Sequence, residues 1–159
     1  TAVGKYPVET VKIMSRICQA TENHINYSRR FKDNDVNIRN IADAISHSTC
    51  NTAIDLNAAA ITVFSRSGIT ARMVSRFRPE TAIIGITDKL KAYHQLALSW
   101  GVCPVLTTVY SSTDELFNTA VKVCKELNAV KKGDLIIITA GVPVGKSGLT
   151  NLIKVEEIK

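Results

Sequence analysis

No apolar stretch in this chain approaches the roughly 20 residues that a membrane-spanning helix needs. No charged-then-apolar leader opens it. A cytoplasmic protein without a membrane partner is the expectation. Cysteine is sparse: Cys18, Cys50, Cys103 and Cys124 stand far apart, and no two make a C-x-x-C pair. None of His24, His47 and His94 sits at metal-ligand spacing from a cysteine. Neither a disulfide framework nor a zinc site is expected, and the thiols read as reduced and mostly buried. No cofactor is expected in the chain. Aromatic residues make up only 6% of the sequence. That leaves few platforms on which nucleobases stack, which argues against a nucleic-acid partner.

Much else is ordinary. The 159 residues suit one domain, with or without an appendage, and 45% of them are hydrophobic. The net charge is +6, which suits anionic ligands. Two basic clusters carry part of it, Arg29-Arg30-Lys32 and Arg66/Arg72/Arg76/Arg78. Each is readable as a solvated face or as an anion site. The chain opens on Thr1 rather than methionine, as a fragment, a processed product or a trimmed chain would.

Periodicity gives the organisation. Pro7 suits a first helical turn, and Val8, Val11, Met14, Ile17 and Cys18 follow at helical spacing, so a helix is expected over 7–27. Residues 28–34 are polar and charged and read as a linker. Asp35 is a candidate N-cap for a second long helix. Its buried stripe would be Ile38, Ile41, Ala42, Ile45, Thr49, Thr52 and Leu56. Strands are expected at 59–64, 82–87, 104–108 and 135–139, with helices at 70–77, 89–100 and 112–129. Ser112 and Glu115 form a capping box, and Gly133 is a stop signal. A last strand at 151–158 follows the previous one after a loop too short for a parallel return. The fold class is therefore α/β: helices on both faces of a five-stranded, mostly parallel sheet whose last strand is an antiparallel edge.

Two segments raise a phosphate question. ITAGVPVGKSG, Ile138 to Gly148, ends like a nucleotide-binding P-loop. A working P-loop must open a helix, and here a strand follows. Pro143 also lacks the N–H that such a cradle uses. The segment is a Gly-rich loop between strands, able to meet an anion through Lys146. The other segment, Ser65-Arg66-Ser67-Gly68-Ile69-Thr70, joins a strand to a helix. Ligands of open α/β sheets bind at that end of the strands. It offers hydroxyls, an arginine, a permissive glycine and free helix-terminal amides.

SRSGITARMVSRFRPETAIIGIT, KKGDLIIITAGVPVGKSGLTN and the opening TAVGKYPVETV resemble, in that order, the end of pyruvate kinase. The resemblance covers nearly the whole chain. It implies that residues 1–28 are the last loop and outer helix of the catalytic (β/α)8 barrel. It implies that residues 33–159 are the C-terminal allosteric domain, a three-layer α/β/α fold. Ser65, Arg66, Ser67 and Thr70 would then hold the phosphate of an allosteric effector by their side chains, and Gly68 and Ile69 by their backbone. Lys146, Ser147, Gly148 and Leu149 would belong to a loop that closes over the same ligand. That loop lacks the Trp and Arg of animal and yeast enzymes and resembles the bacterial branch, whose effectors are AMP or a sugar phosphate such as ribose 5-phosphate. The resemblance places the catalytic residues, Mg2+ and K+ in the barrel, outside this chain, which alone is expected to be inactive. It implies partners in that barrel and in further copies: a dimer through the edge of this domain, and a tetramer of the full-length enzyme. The competing reading is a stand-alone module that binds anions or nucleic acid. It accounts for the charge but not for the barrel-like opening.

Overall fold

Apolar, β-branched runs covered on both faces become the strands. In a computed structural model, which describes residues 3–33, 37–108, 110–144 and 150–159, these are Ala60–Phe64 (β1), Ala82–Thr87 (β2), Val102–Leu106 (β3), Leu135–Ala140 (β4) and Leu152–Glu157 (β5). They form one five-stranded sheet in the order β3-β2-β1-β4-β5. The first four run parallel, and β5 pairs antiparallel with β4. The edge position of β3 explains how it accommodates Pro104, whose missing donor would break a central ladder. Its pairing begins at Val102, two residues before the expected start.

The helices are Pro7–Glu22 (α1), Tyr27–Lys32 (α2), Ile41–Asp55 (α3), Ile69–Arg76 (α4), Leu90–Leu96 (α5) and Thr113–Glu126 (α6). Side chains alternate across the sheet and separate two cores. Ile61, Val63, Ile83 and Ile137 pack with Cys50 and Ala53 of α3, Ala71 and Val74 of α4 and Leu96 of α5. Phe64, Ile84, Ile86, Ile136 and Ile138 pack with Leu116, Ala120, Val123 and Cys124 of α6 on the other face. Burial pushes the Cys50 thiol up to about 12 and the Cys124 thiol to about 11, so both behave as small apolar residues. Cys18 and Cys103 are exposed, contrary to a mostly buried set.

Several local expectations change. The segment read as a linker contains α2, capped by Asn26, whose side chain accepts from Arg29 N–H at 2.8 Å. The reason is Phe31. It is buried, stacks on His47 at 4.8 Å and meets Phe77 edge-on at 6.2 Å. Helix α3 begins at Ile41, where Asn40 accepts from Asp43 N–H at 2.8 Å; the expected cap, Asp35, lies outside the described residues. Its buried face is small and partly polar, with Asp43, Ser46, Thr49, Cys50 and Ala53. Ile38, Ile41 and Leu56 of the expected stripe are exposed. Small side chains let α3 approach the sheet, so the bulky residues turn outward. Helix α6, expected to reach about 129, ends at Glu126, and the left-handed residue that stops it is Asn128, whose φ is +53°, ahead of Gly133. Ala129 N–H reaches Cys124 O and Asn128 N–H reaches Lys125 O, which closes the last turn as a Schellman motif. Helix α1 buries none of its residues.

Candidate phosphate site at the reversal of the sheet

Strand order places the site. From β1 the chain moves outward to β2 and β3, with α4 and α5 on one face. It then crosses back on the other face through α6 to β4, on the far side of β1. Right-handed crossovers require that change of face when the direction reverses. The loops leaving β1 and β4 therefore diverge, and a crevice opens at their carboxyl ends. The segment 65–70 leaves β1, and the segment 141–151 leaves β4.

Ser65 closes the first loop on itself. Its Oγ accepts from Thr70 N–H at 3.3 Å, and its carbonyl accepts from Gly68 N–H at 3.3 Å. The turn demands a left-handed residue, and Gly68 has φ +75°. A Cβ there would also lie 3.2 Å from Leu96 Cγ. Helix α4 starts at once. A first helical turn has no intrahelical acceptors for its amides. Ser65 takes that of Thr70; those of Ile69 and Ala71 lie in the same first turn, at the positive end of the helix dipole.

The six loop residues divide by direction. Ser65 and Thr70 are buried. Thr70 Oγ1 shares a 2.6 Å hydrogen bond with Thr150 Oγ1, which ties the β1 loop to the far end of the β4–β5 loop. Arg66, Ser67 and Ile69 are exposed and face α5. At the root of the β4–β5 loop, Asn151 brackets the backbone of one residue, Val142. Its Oδ1 accepts from Val142 N–H at 2.8 Å and its Nδ2 donates to Val142 O at 2.7 Å. Lys146, Ser147, Gly148 and Leu149 lie outside the described residues. The two ends of their loop are thus held to each other, and the Thr150 end to the 65–70 loop.

Charge is organised around a carboxylate that sequence reading missed. Asp88, whose side chain is 6% exposed, receives Arg66 Nε at 3.3 Å on Oδ1. Lys89 Nζ stands 3.1 Å from its Oδ2, close as an ion pair but not aligned as a hydrogen bond. Burial pushes the Asp88 carboxyl up, but Lys89 and Arg66 together outweigh it and hold it below its ordinary value. Thr87 Oγ1 fixes the same corner, donating to Arg66 O at 3.3 Å and accepting from Lys89 N–H at 3.2 Å. Tyr110 approaches from the β3–α6 connection, edge-on to Phe64 at 5.1 Å. Burial raises its hydroxyl pKa, and the Asp88 charge adds to that. The signal for Asp88 was its place just after an apolar strand, where α/β sites collect. Thr150 and Tyr110 carried no local signal.

Arginine, hydroxyls, free amides and a helix terminus around one crevice can hold a phosphate monoester. Among the described residues no nucleophile with an adjacent base stands there. Among the described residues, no three His, Cys, Asp or Glu side chains gather as metal ligands would.

A family model described as pyruvate kinase, alpha/beta domain, matches residues 43–156. The chain belongs to the pyruvate kinase family. The pyruvate kinase of Clostridium acetobutylicum is 42% identical over 160 residues, spanning all of this chain and 34% of that protein. That of Geobacillus stearothermophilus is 42% identical over 162 residues, 99% of this chain and 27% of its own length. That of Staphylococcus saprophyticus is 41% identical over 155 residues. The chain thus spans about a third or less of the pyruvate kinases it matches, and the matched model is that of their α/β domain. Among the described residues no helix is long and apolar enough to cross a membrane.

Proposed function

We propose that this chain is the regulatory C-terminal domain of a pyruvate kinase, an enzyme that passes the phosphoryl group of phosphoenolpyruvate to ADP. Residues 33–159 form the allosteric domain, and residues 1–28 are the last outer helix of the catalytic barrel. The exposed apolar side chains of α1, Val8, Val11, Met14 and Ile17, suit a helix whose packing partner is that barrel. Mg2+, K+ and the reacting groups belong to the barrel, so the 159-residue chain alone turns over no substrate.

The effector is a phosphate monoester, AMP or a sugar phosphate. The observation that carries this reading is the pairing of the 65–70 loop with the anchored β4–β5 loop at the reversal of the sheet, joined by the Thr70–Thr150 hydrogen bond. Ser65, Arg66, Ser67, Thr70 and the amides of Gly68 and Ile69 take the phosphate; Lys146, Ser147, Gly148 and Leu149 close over it. A helix N-terminus contributes about 0.3–1 kcal/mol to a bound anion, and about 2 when partly buried. The effector shifts the enzyme between states by binding one of them better.

Calorimetric titration of the chain with AMP, ribose 5-phosphate, glucose 6-phosphate and fructose 1,6-bisphosphate tests this. One monophosphate should bind, and Ser67→Glu should abolish its binding by charge repulsion. Binding unaltered in Ser67→Glu would place the ligand elsewhere.

Assembly is a second role, favoured by β5. Among the described residues it pairs only with β4, so its outer edge offers a place for a second copy across a two-fold axis. A chain that stays monomeric in sedimentation at high concentration would refute that.

A further inference from the structure

A cluster of cations lies beside the loop that neither the phosphate monoester nor the fold requires. Helices α4 and α5 leave a groove of about 450 Å³ between them, reached by Arg66, Ser67, Ile69, Arg72, Lys89 and Lys91. Residues 66–95 carry six basic and two acidic side chains, so four of the six net positive charges of the chain fall in this stretch. Of the two acids, Glu80 sits before β2, at the opposite end of the sheet from the groove. Asp88 is committed to Arg66 and Lys89. Among the described residues, neither Arg72 nor Lys91 has a carboxylate partner. Arg76, one turn further along α4, does have one, in Asp43 at 2.9 Å. Of the four cations that reach the groove, Arg66 and Lys89 thus share the single carboxylate Asp88, and Arg72 and Lys91 are left without neutralisation, although like charges crowded together repel.

We propose that this groove binds a linear oligophosphate, the di- or triphosphate group of a nucleotide or an inorganic chain, running on from the single-phosphate position of the loop. Consecutive phosphoryl groups put dense negative charge along a line. Arginine forks and lysine point charges on two facing helices match it. The inference rests on the loop reading, with which it shares Arg66 and Ser67, and extends the ligand class from one phosphoryl group to several.

The test titrates the 159-residue chain with orthophosphate, inorganic tripolyphosphate and ATP, all without divalent cations. Three variants accompany it: Arg72→Gln with Lys91→Gln, Ser67→Glu, and Lys12→Gln with Arg16→Gln as an equal charge loss on exposed α1. Tripolyphosphate should bind at least about tenfold tighter than orthophosphate, since charge-assisted contacts are the strong ones. The Arg72/Lys91 variant should lose that gain and keep its orthophosphate affinity. The α1 variant should bind all three as the parent does. ATP binding more tightly than tripolyphosphate would assign the group to a nucleotide; the reverse order would assign it to an inorganic chain. Equal affinity for orthophosphate and tripolyphosphate overturns the inference. So does an Arg72/Lys91 variant that binds tripolyphosphate normally, equal weakening in the α1 variant, or no binding at all. The loop reading fails separately, if orthophosphate does not bind or if Ser67→Glu leaves its affinity unchanged.

Discussion

Gly68 carries two constraints at once, a φ of +75° and a neighbour 3.2 Å from where a Cβ would stand. An alanine in that left-handed conformation costs about 1–2 kcal/mol, and it also pushes Leu96 aside. Gly68→Ala should therefore lower stability in urea by at least that amount; an unchanged midpoint would mean that the loop is not held in this turn. Asp88 makes a prediction in pH. Its pKa is lowered from 3.8 in the folded chain, so its contribution is complete above the unfolded value and is lost as pH falls through the folded one. Urea midpoints measured from pH 6 down to pH 2.5 should show that loss below about pH 4, with the slope reduced in Asp88→Asn. A slope unchanged in the variant would contradict the assignment. At this scale the sequence was legible where a residue acts through its own backbone, as Gly68 does. It was not legible where a residue acts through a distant partner: Thr150 meets Thr70 across 80 positions, and nothing local in either announces it.

Elements were legible in proportion to how far burial alone decided them. The strands expected at 82–87 and 135–139 stood out because both of their faces are covered, which leaves a continuous apolar run. The α6 start was legible because its cap is local: Ser112 Oγ accepts from Glu115 N–H at 3.2 Å, though the Glu115 carboxylate returns to Ser111 rather than to Ser112. Helix α2 was hidden because one buried phenylalanine sits among Arg29, Arg30 and Lys32. Helices α2 and α1 differ in what they give the fold. Phe31→Ala should cost about 3–5 kcal/mol, as large-to-small changes in a packed core do. Removing residues 1–24 should leave the urea midpoint of the remainder unchanged, since α1 buries none of its residues. A large loss of stability on that truncation would mean that α1 belongs to this domain and not to a barrel.

At the scale of the molecule, the order β3-β2-β1-β4-β5 fixes both the crevice and the open edge. Alternation of helix and strand made the parallel sheet legible, and the short final connection made the antiparallel strand legible. Which loops would meet was not legible from periodicity, because it depends on where the sheet reverses. The most direct measurement is amide chemical-shift mapping of the 159-residue chain titrated with AMP and with ribose 5-phosphate. Saturable shifts should concentrate at Gly68, Ile69 and Ala71, with a second group at Lys146 to Leu149, for at least one of the two ligands. Saturable shifts confined to other parts of the chain, with 65–71 unmoved, would contradict the account.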